Sequence, residues 1–453
     1  MHASLSDLLN ALPGARMTAH TVIDGVSTNS KAVAKGDLFV ALRGEHFDAH
    51  DFLPEVAAQG AAAVVVERVP DGFALPALVV NDTRHALGQI ANFWRRQFAI
   101  PVIGVTGSNG KTTVKEMIAS ILAATFGEGN YLSTRGNLNN EIGVPLTLFR
   151  LEASHRAAVI EMGMNHPGEI ARLAEIAEPT VGLVNNAQRE HQEFMASVAA
   201  VAEENGSVIR LLGKDGCAVF PADDEYAPLW QGYAGSHRTM SFGLDHRATV
   251  NCLWQPRDFG SDLQISTSGK TIKVSLSAAG IHNVRNALAA CAATLAIGID
   301  AESIARGLQS FTPVAGRLQR KSARNGALVI DDTYNANPDS VRAAIDVLAT
   351  APAPRTLVLG DMGEVGSEGV AFHEEIGSYA RSRQIDQLFT LGALARHASI
   401  AFGSAARHFD TMDTLNQEIA AVPSGASVLV KGSRFMKMER VVDMLTGAPA
   451  GGH

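Results

Sequence analysis

The sequence predicts an α/β protein of three domains. Its length of 453 residues suits about three domains of ordinary size. Two long stretches alternate short apolar strands with amphipathic helices, the pattern of parallel sheets covered by helices. Between them in character, the segment "GVTGSNGKTT" (104–113) places a glycine-rich loop between a strand and a helix. The expected domains are residues 1–98, 99–314 and 315–453.

In the first region "GDLFVAL", "AAAVVVE" and "ALVVND" read as strands, and "HALGQIANFWRRQF" as a helix leading out. The second region opens with the strand "PVIGVTG" and the loop. In the following helix Val114, Met117, Ile118, Ile121 and Leu122 share one face at i, i+3, i+4, i+7 and i+8. Strands follow at "RAAVIEMG" and "TVGLVNNA", with the helix "GEIARLAEIA" between them and a long alanine-rich helix at "GIHNVRNALAACAATLAIG". In the third region the strands are "ALVIDD", "RTLVLGD", "DQLFTLG" and "SVLVKGS". Its first helix has Asn337 as N-cap, Pro338 at the first helical position and Asp339 in the first turn, with an apolar face of Val341, Ala344, Ile345 and Leu348. The tail "TGAPAGGH" is expected to be disordered.

Composition excludes several classes. A net charge of −8 and a pI near 6.0 argue against nucleic-acid binding and against attraction to anionic membranes. Cys217, Cys252 and Cys291 are scattered, with no CxxC pair, so neither a disulfide framework nor a thiolate metal cage is expected; they read as packing residues in a reducing compartment. The N-terminus lacks the charged and apolar regions of a signal peptide, and no run approaches a membrane span. A soluble, cytoplasmic chain without membrane insertion is expected.

The loop departs from the common phosphate-binding pattern G-x-x-x-x-G-K-[ST]. Val105 stands where that pattern needs its first glycine, Gly104 is one step early, and Gly107 interrupts. The physics survives: Gly104, Gly107 and Gly110 are expected to let backbone N–H groups turn toward an anion at a helix N-terminus. Lys111 would bring a full charge to the β- and γ-phosphates, and the hydroxyl of Thr112 or Thr113 would face Mg²⁺. A glycine-rich turn with a solvated lysine is the plainer alternative, but strand, loop, Lys-Thr-Thr and amphipathic helix agree on phosphate. Glu161 ends a parallel strand, where ligands gather, and beside Lys111 it reads as a metal ligand rather than a solvated carboxylate. His191 follows the next strand end; a lone histidine of this kind is ordinarily structural. In "ALVIDDTYNANPDS" a polar turn and N-cap explain Asn337 and Pro338, but not Asp331 and Asp332 paired at the end of an apolar strand.

Together these motifs resemble the Mur ligases, the ATP-dependent amide ligases of peptidoglycan precursor synthesis. "TGSNGKTT" (106–113) is similar to that family's loop, which accounts for the odd spacing. "NLNNEIGVPLTL" (137–148), "EMGMNHPGEI" (161–170), "DDTYNANPDS" (331–340), "LGDMGEVG" (359–366) and "KGSRFMKME" (431–439) resemble the branch that adds D-alanyl-D-alanine to UDP-N-acetylmuramoyl-tripeptide (UDP-MurNAc-tripeptide). The resemblance implies a P-loop ATPase-like central domain, a Rossmann-like C-terminal domain and a smaller α/β N-terminal domain. It implies that Gly107, Ser108, Asn109, Gly110, Lys111, Thr112 and Thr113 cradle ATP, and that Asn283 and Asn286 lie on the adenine side. Arg317, Asp332, Tyr334 and Asn335 would reach the nucleotide from the third domain. Thr112, Glu161 and His191 would hold Mg²⁺, and Lys111, Glu161, His191, Arg317 and Asp332 would serve the chemistry. Ser30, Lys31 and Arg43 would lie on the uridine-nucleotide side, although an ordinary solvated charge is the plainer account of Arg43. Thr134, Arg135, Asn137, Asn139 and Asn140 would line the acceptor carboxylate. A monomer acting on small molecules is expected.

Two departures stand out. Asn29-Ser30-Lys31 replaces the family's usual Asp-Ser-Arg, which removes a forked guanidinium. Asn205 stands where many members place a carbamylated lysine that bridges a second Mg²⁺. That leaves three arrangements open: no second metal, a water-bridged one, or one held by Glu203 or Glu204. Two other readings remain at this point: a related amide ligase such as a folylpolyglutamate synthase, disfavoured by the YNANP segment, and a nucleotide-binding module without catalysis.

Overall fold

Six parallel strands form the central sheet, in the order Arg238–Phe242, Cys217–Pro221, Val181–Val184, Val102–Thr106, Ala157–Glu161 and Tyr131–Ser133. The computed structural model describes residues 1–447 except His191 and His246. The strand Val102–Thr106 is buried throughout, as expected of an apolar, β-branched run covered on both faces. Its neighbours are Ala157–Glu161 and Val181–Val184, so the sheet itself brings the glycine-rich loop, Glu161 and Asn185 to one edge.

The helix Lys111–Phe126 follows the loop, and Val114, Met117, Ile118, Ile121 and Leu122 are all buried, as the periodicity requires. The alanine-rich helix Ile281–Ala296 packs on it through an almost wholly buried face. Gly104 corrects the sequence reading. It lies inside the strand, where a Cβ would come within 3.0 Å of Met162 Cε and 3.2 Å of Pro179 Cβ. It is a packing glycine, and only Gly107 and Gly110 shape the loop.

The third sheet runs Gln319–Ser322, Leu328–Asp332, Ser427–Lys431, Arg355–Gly360, Gln387–Leu391 and Ala406–Phe409, parallel except for its first strand. Asp332 stands opposite Lys431 in this register. The helix Pro338–Thr350 begins as its sequence foretells: Asn337 accepts from Ser340 N and completes a capping box.

The N-terminal sheet has the order Arg16–Met17, Ala77–Val79, Ala63–Val66, Asp37–Val40 and Gly25–Ser27. The helix Thr83–Arg95, capped by Asp82, leaves this sheet and packs against the helices Gly143–Leu148 and Glu169–Ala177 of the central domain. Asn92 donates to the carbonyls of Glu175 (3.0 Å) and Ile176 (3.1 Å), and Arg95 to Ala177 O (3.0 Å). Leu87 and Ile90 share one apolar cluster with Ile170 and Leu173, so the core is continuous across residue 98.

The sequence reading did not anticipate an antiparallel meander, Asn251–Arg257, Gly260–Thr267 and Lys270–Leu276. Its alternating buried residues, Leu263, Ile265, Ile272 and Val274, carry a two-residue period that was there to be read. At the C-terminus the last helix, Glu439–Thr446, extends into the segment expected to be disordered; the rest of that tail, from residue 448, lies outside the described residues. All three cysteines are free and buried.

Candidate active site

Gly107 and Gly110 adopt φ of +136° and +81°, a region that side chains disfavour. A Cβ on Gly110 would lie 2.5 Å from Asn286 Oδ1 and 2.7 Å from Asn185 Nδ2. The loop is braced by amides. Asn109 N donates to Asn186 Oδ1 (2.9 Å), and Asn185 and Asn186 each donate to Asn109 O (2.7 and 3.0 Å). Asn185 also donates to Asn286 Oδ1 (2.9 Å), and Asn286 to Asn283 Oδ1 (3.1 Å). Asn283 and Asn286 are therefore buried props of the loop as well as cavity wall.

Thr112 donates its hydroxyl to Glu161 Oε1 (3.1 Å), which also accepts from Asn139 Nδ2 (2.9 Å). Glu161 is buried, and its Oε2 has no hydrogen-bond partner among the described residues. A buried, unsatisfied carboxylate oxygen beside a threonine hydroxyl is a donor set that fits a hard divalent cation. His191 lies outside the described residues, and among those described no group of three His, Cys, Asp or Glu side chains could hold a metal. The neighbourhood of Asn205 narrows the second-metal question. Its Oδ1 accepts from the Thr106 hydroxyl, while Glu204 is taken up by Gly168 N (2.9 Å) and Ile170 N (2.8 Å) at a helix start.

A cavity of about 1180 Å³ opens over the loop. Its floor includes Ser108 to Thr113 and Glu161; its far wall comes from the third sheet with Arg317, Asp332, Tyr334 and Asn335. Arg317 stacks on Tyr334 at 4.1 Å, and its Nε is buried without a partner among the described residues. Asp332 is more committed than the sequence suggests: Lys431 Nζ pairs with its Oδ2, and Leu318 N donates to Oδ1 (3.1 Å). Asp331 faces the other way and is satisfied by Lys321 (2.7 Å) and Thr333 (2.7 Å), which explains the doubled aspartate.

Of the residues assigned to the acceptor side, Asn137, Asn139 and Asn140 line the cavity. Asn140 Oδ1 also accepts from Ile142 N (3.2 Å) and Gly143 N (2.9 Å), just ahead of the helix Gly143–Leu148. Thr134 is buried behind Glu161 and accepts from its N–H (3.0 Å), so it supports the site instead of lining it; Arg135 is exposed outside the wall. Ser30, Lys31 and Arg43 also lie outside it, and Arg43 is engaged with Glu67 (3.0 Å). Arg84, from the first turn of the helix Thr83–Arg95, lines the cavity and was missed; nothing in its local sequence marks it.

The segment 185–190 was also missed. Arg189 donates to Asp339 (2.6 Å) and Glu375 (2.7 Å) on the third sheet's helices, and stacks on Phe372 at 5.3 Å. Its hydrogen bonds to Glu375 and then to Asp339 push the guanidinium pKa up, and the bonds from Arg189 and then Arg342 hold the Glu375 carboxyl below its usual range. Asn337 donates to Asn109 Oδ1 (2.9 Å), a second tie between the lobes. The asparagine pair after a parallel strand end was the available signal.

Comparison with known proteins accords with this geometry. Residues 105–294 match the Mur ligase middle domain, 316–434 the Mur ligase glutamate ligase domain, and 22–95 the Mur ligase family catalytic domain. The UDP-N-acetylmuramoyl-tripeptide–D-alanyl-D-alanine ligase of Escherichia coli K12 is 39% identical over 98% of both chains. This chain belongs to the Mur ligase family. MurF from Acinetobacter baumannii superposes with a TM-score of 0.92 at 35% identity, covering 99% of each chain. The Mur ligase MurF from Thermotoga maritima, in complex with ADP, superposes with a TM-score of 0.83 at 28% identity, over 93% of this chain and 97% of that one. The three-domain α/β Mur ligase fold is thus the fold of this chain, and the helix after its glycine-rich loop is the middle domain's.

Proposed function

We infer that this chain is an ATP-dependent ligase that joins D-alanyl-D-alanine to UDP-MurNAc-tripeptide, giving UDP-MurNAc-pentapeptide for the cell wall. The observation that carries the reading is end-to-end similarity to relatives of that activity, combined with one cavity walled by a phosphate-type loop and a second lobe.

A carboxylate is a poor electrophile. Transfer of the γ-phosphoryl of ATP to the tripeptide carboxylate makes an acyl phosphate; the amine of D-alanyl-D-alanine then attacks, and phosphate leaves through a tetrahedral intermediate. The protein contributes positioning and charge. In our reading the loop N–H groups and Lys111 hold the β- and γ-phosphates. Arg317, with its free Nε and its face against Tyr334, meets the nucleotide from the other lobe. Asn137 and Asn139 orient the acceptor, and Asp332 acts through its pair with Lys431. Glu161 and Thr112, with His191, would hold Mg²⁺, which neutralises phosphate charge when bound. Closing the lobes over the cavity keeps water from the acyl phosphate.

We read residues 1–98 as the uridine-nucleotide domain, 99–314 as the ATP domain and 315–453 as the closing domain. We read the chain as a monomer acting on small molecules. Among the described residues no helix is long and apolar enough to cross a membrane, and three buried free thiols suit the cytoplasm. The test is phosphate release from ATP with each acceptor omitted in turn. Release that needs both UDP-MurNAc-tripeptide and D-alanyl-D-alanine is expected. Nucleotide binding with no acceptor-dependent release would overturn the reading in favour of a non-catalytic module.

A further inference from the structure

Glu190 has no part in the scheme above, yet it touches its central cation. Its Oε1 lies 2.7 Å from Lys111 Nζ, and both side chains are largely buried, at 11% and 14% exposed. Lys111 also donates to the carbonyls of Gly107 and Ser108 (3.1 Å to the latter). An ammonium has three donors, so the lysine is fully committed to its own loop and to Glu190. A phosphate can reach it only by exchange.

The segment that carries Glu190 is fixed on both sides. Ser108 N donates to Asn186 O (3.2 Å), Gln188 N to Ser108 Oγ (2.9 Å), and Asn109 Nδ2 to Gln188 Oε1 (2.7 Å). One residue on, Arg189 N donates to Asp339 Oδ2 (3.0 Å) of the other lobe. The carboxylate is therefore held at the mouth of the phosphate seat and does not trail after the lysine. A buried ammonium without a partner is costly, so a fixed carboxylate holds the lysine in place before nucleotide arrives.

We propose that Glu190 is a positioning residue, an exchangeable counter-ion that occupies Lys111 until the terminal phosphates displace it and so sets the affinity for the triphosphate end. This rests on the reading of the loop as the ATP site. The exchange is a trade of hydrogen bonds and charge, with no covalent step.

The test is direct titration, by calorimetry with Mg²⁺ present, of the unaltered full chain, Glu190→Gln and Glu190→Asp with two probes: the β,γ-imido analogue of ATP, and AMP. Glu190→Gln is expected to bind the analogue on the order of tenfold tighter, a gain of about 1.4 kcal/mol, and AMP unchanged. Glu190→Asp, which keeps the charge, should return the analogue's affinity to within about threefold of the unaltered chain. Equal or weaker binding of the analogue by Glu190→Gln, or a parallel change for AMP, would overturn the proposal, because a metal-holding or structural carboxylate gives those results. If the unaltered chain fails to bind the analogue at all, the ATP reading itself falls, and this inference with it.

Discussion

Arg189 of the central lobe lies 2.6 Å from Asp339 of the third, and it uses the rest of its guanidinium on Glu375. Two carboxylates from separate helices thus converge on one cation across the cleft. All three side chains remain a fifth to a third exposed, so solvent screens the attraction. Arg189→Ala should lower kcat about tenfold through poorer closure while moving the melting temperature little. A double-mutant cycle with Asp339→Asn should give a coupling of about 1 kcal/mol in kcat/KM, weakening with added salt. Additive effects of the two changes would mean that the pair does not hold the lobes.

Gly104 and Gly110 should separate cleanly. A methyl on Gly110 meets two amides inside 2.8 Å at a φ of +81°. Gly110→Ala should therefore weaken binding of the β,γ-imido analogue by about a hundredfold, or 2.7 kcal/mol, in calorimetry. Gly104→Ala meets the ends of Met162 and Val208 instead. It should cost about 1–3 kcal/mol in a urea melt and leave nucleotide affinity unchanged.

Glu161→Gln keeps the size of the side chain and removes its charge. The unpartnered Oε2 is the atom that changes most in function, since Oε1 is already bonded to Thr112 and Asn139. Turnover at saturating Mg²⁺ should fall by about 10²–10³. A magnesium titration should show half-saturation moved upward. Unchanged magnesium dependence would remove Glu161 from the metal site.

Asp332 and Lys431 form a pair whose two side chains are 13% and 3% exposed. Removing one partner strands the other, so Lys431→Met should cost about 3–5 kcal/mol of stability in a urea melt. Loss of activity in Asp332→Ala is accordingly expected to come with destabilisation. The double change Lys431→Met with Asp332→Leu should recover much of the stability but not the activity. If Lys431→Met melts like the unaltered chain, the pair is not a structural anchor.

The thiols give a pH prediction. Burial pushes Cys252 up to about 11 and Cys291 up to about 12. A thiol whose folded pKa is raised stays protonated at pH 8, where an exposed one is partly thiolate. Folded protein should thus react with iodoacetamide far more slowly than urea-unfolded protein at pH 8. Stability should fall as pH rises from about 8.5 toward 11, because the unfolded chain loses these protons first. Fast labelling of the native chain would contradict the burial.

What the sequence made legible was whatever is local. The helix after the loop, the Asn337 cap and the strands ending at Glu161 and Asp332 follow from periodicity and capping within a few residues, and the folded chain has them there. The contacts that join distant segments were not legible. Nothing near Lys431 says that it will stand opposite Asp332, since that depends on a strand almost a hundred residues away. Arg189 and Glu190 look like two ordinary charges until the sheet order sets them between two lobes. Gly104 misled because its strand position and a loop position read alike in one dimension. Ser30, Lys31 and Arg43 came from a resemblance, and they sit outside the cavity wall.

The helix Thr83–Arg95 has a practical meaning for anyone cutting the gene. Because Leu87 and Ile90 share an apolar cluster with Ile170 and Leu173, a fragment begun at residue 99 would leave a greasy scar where that helix had lain. Such a piece should clump in solution, and one that starts ahead of Asp82 merely moves the wound, because Leu38, Val65 and Leu78 of the N-terminal sheet belong to the same cluster. For the workbench, that helix is a shared wall: neither side of it offers a clean place to cut.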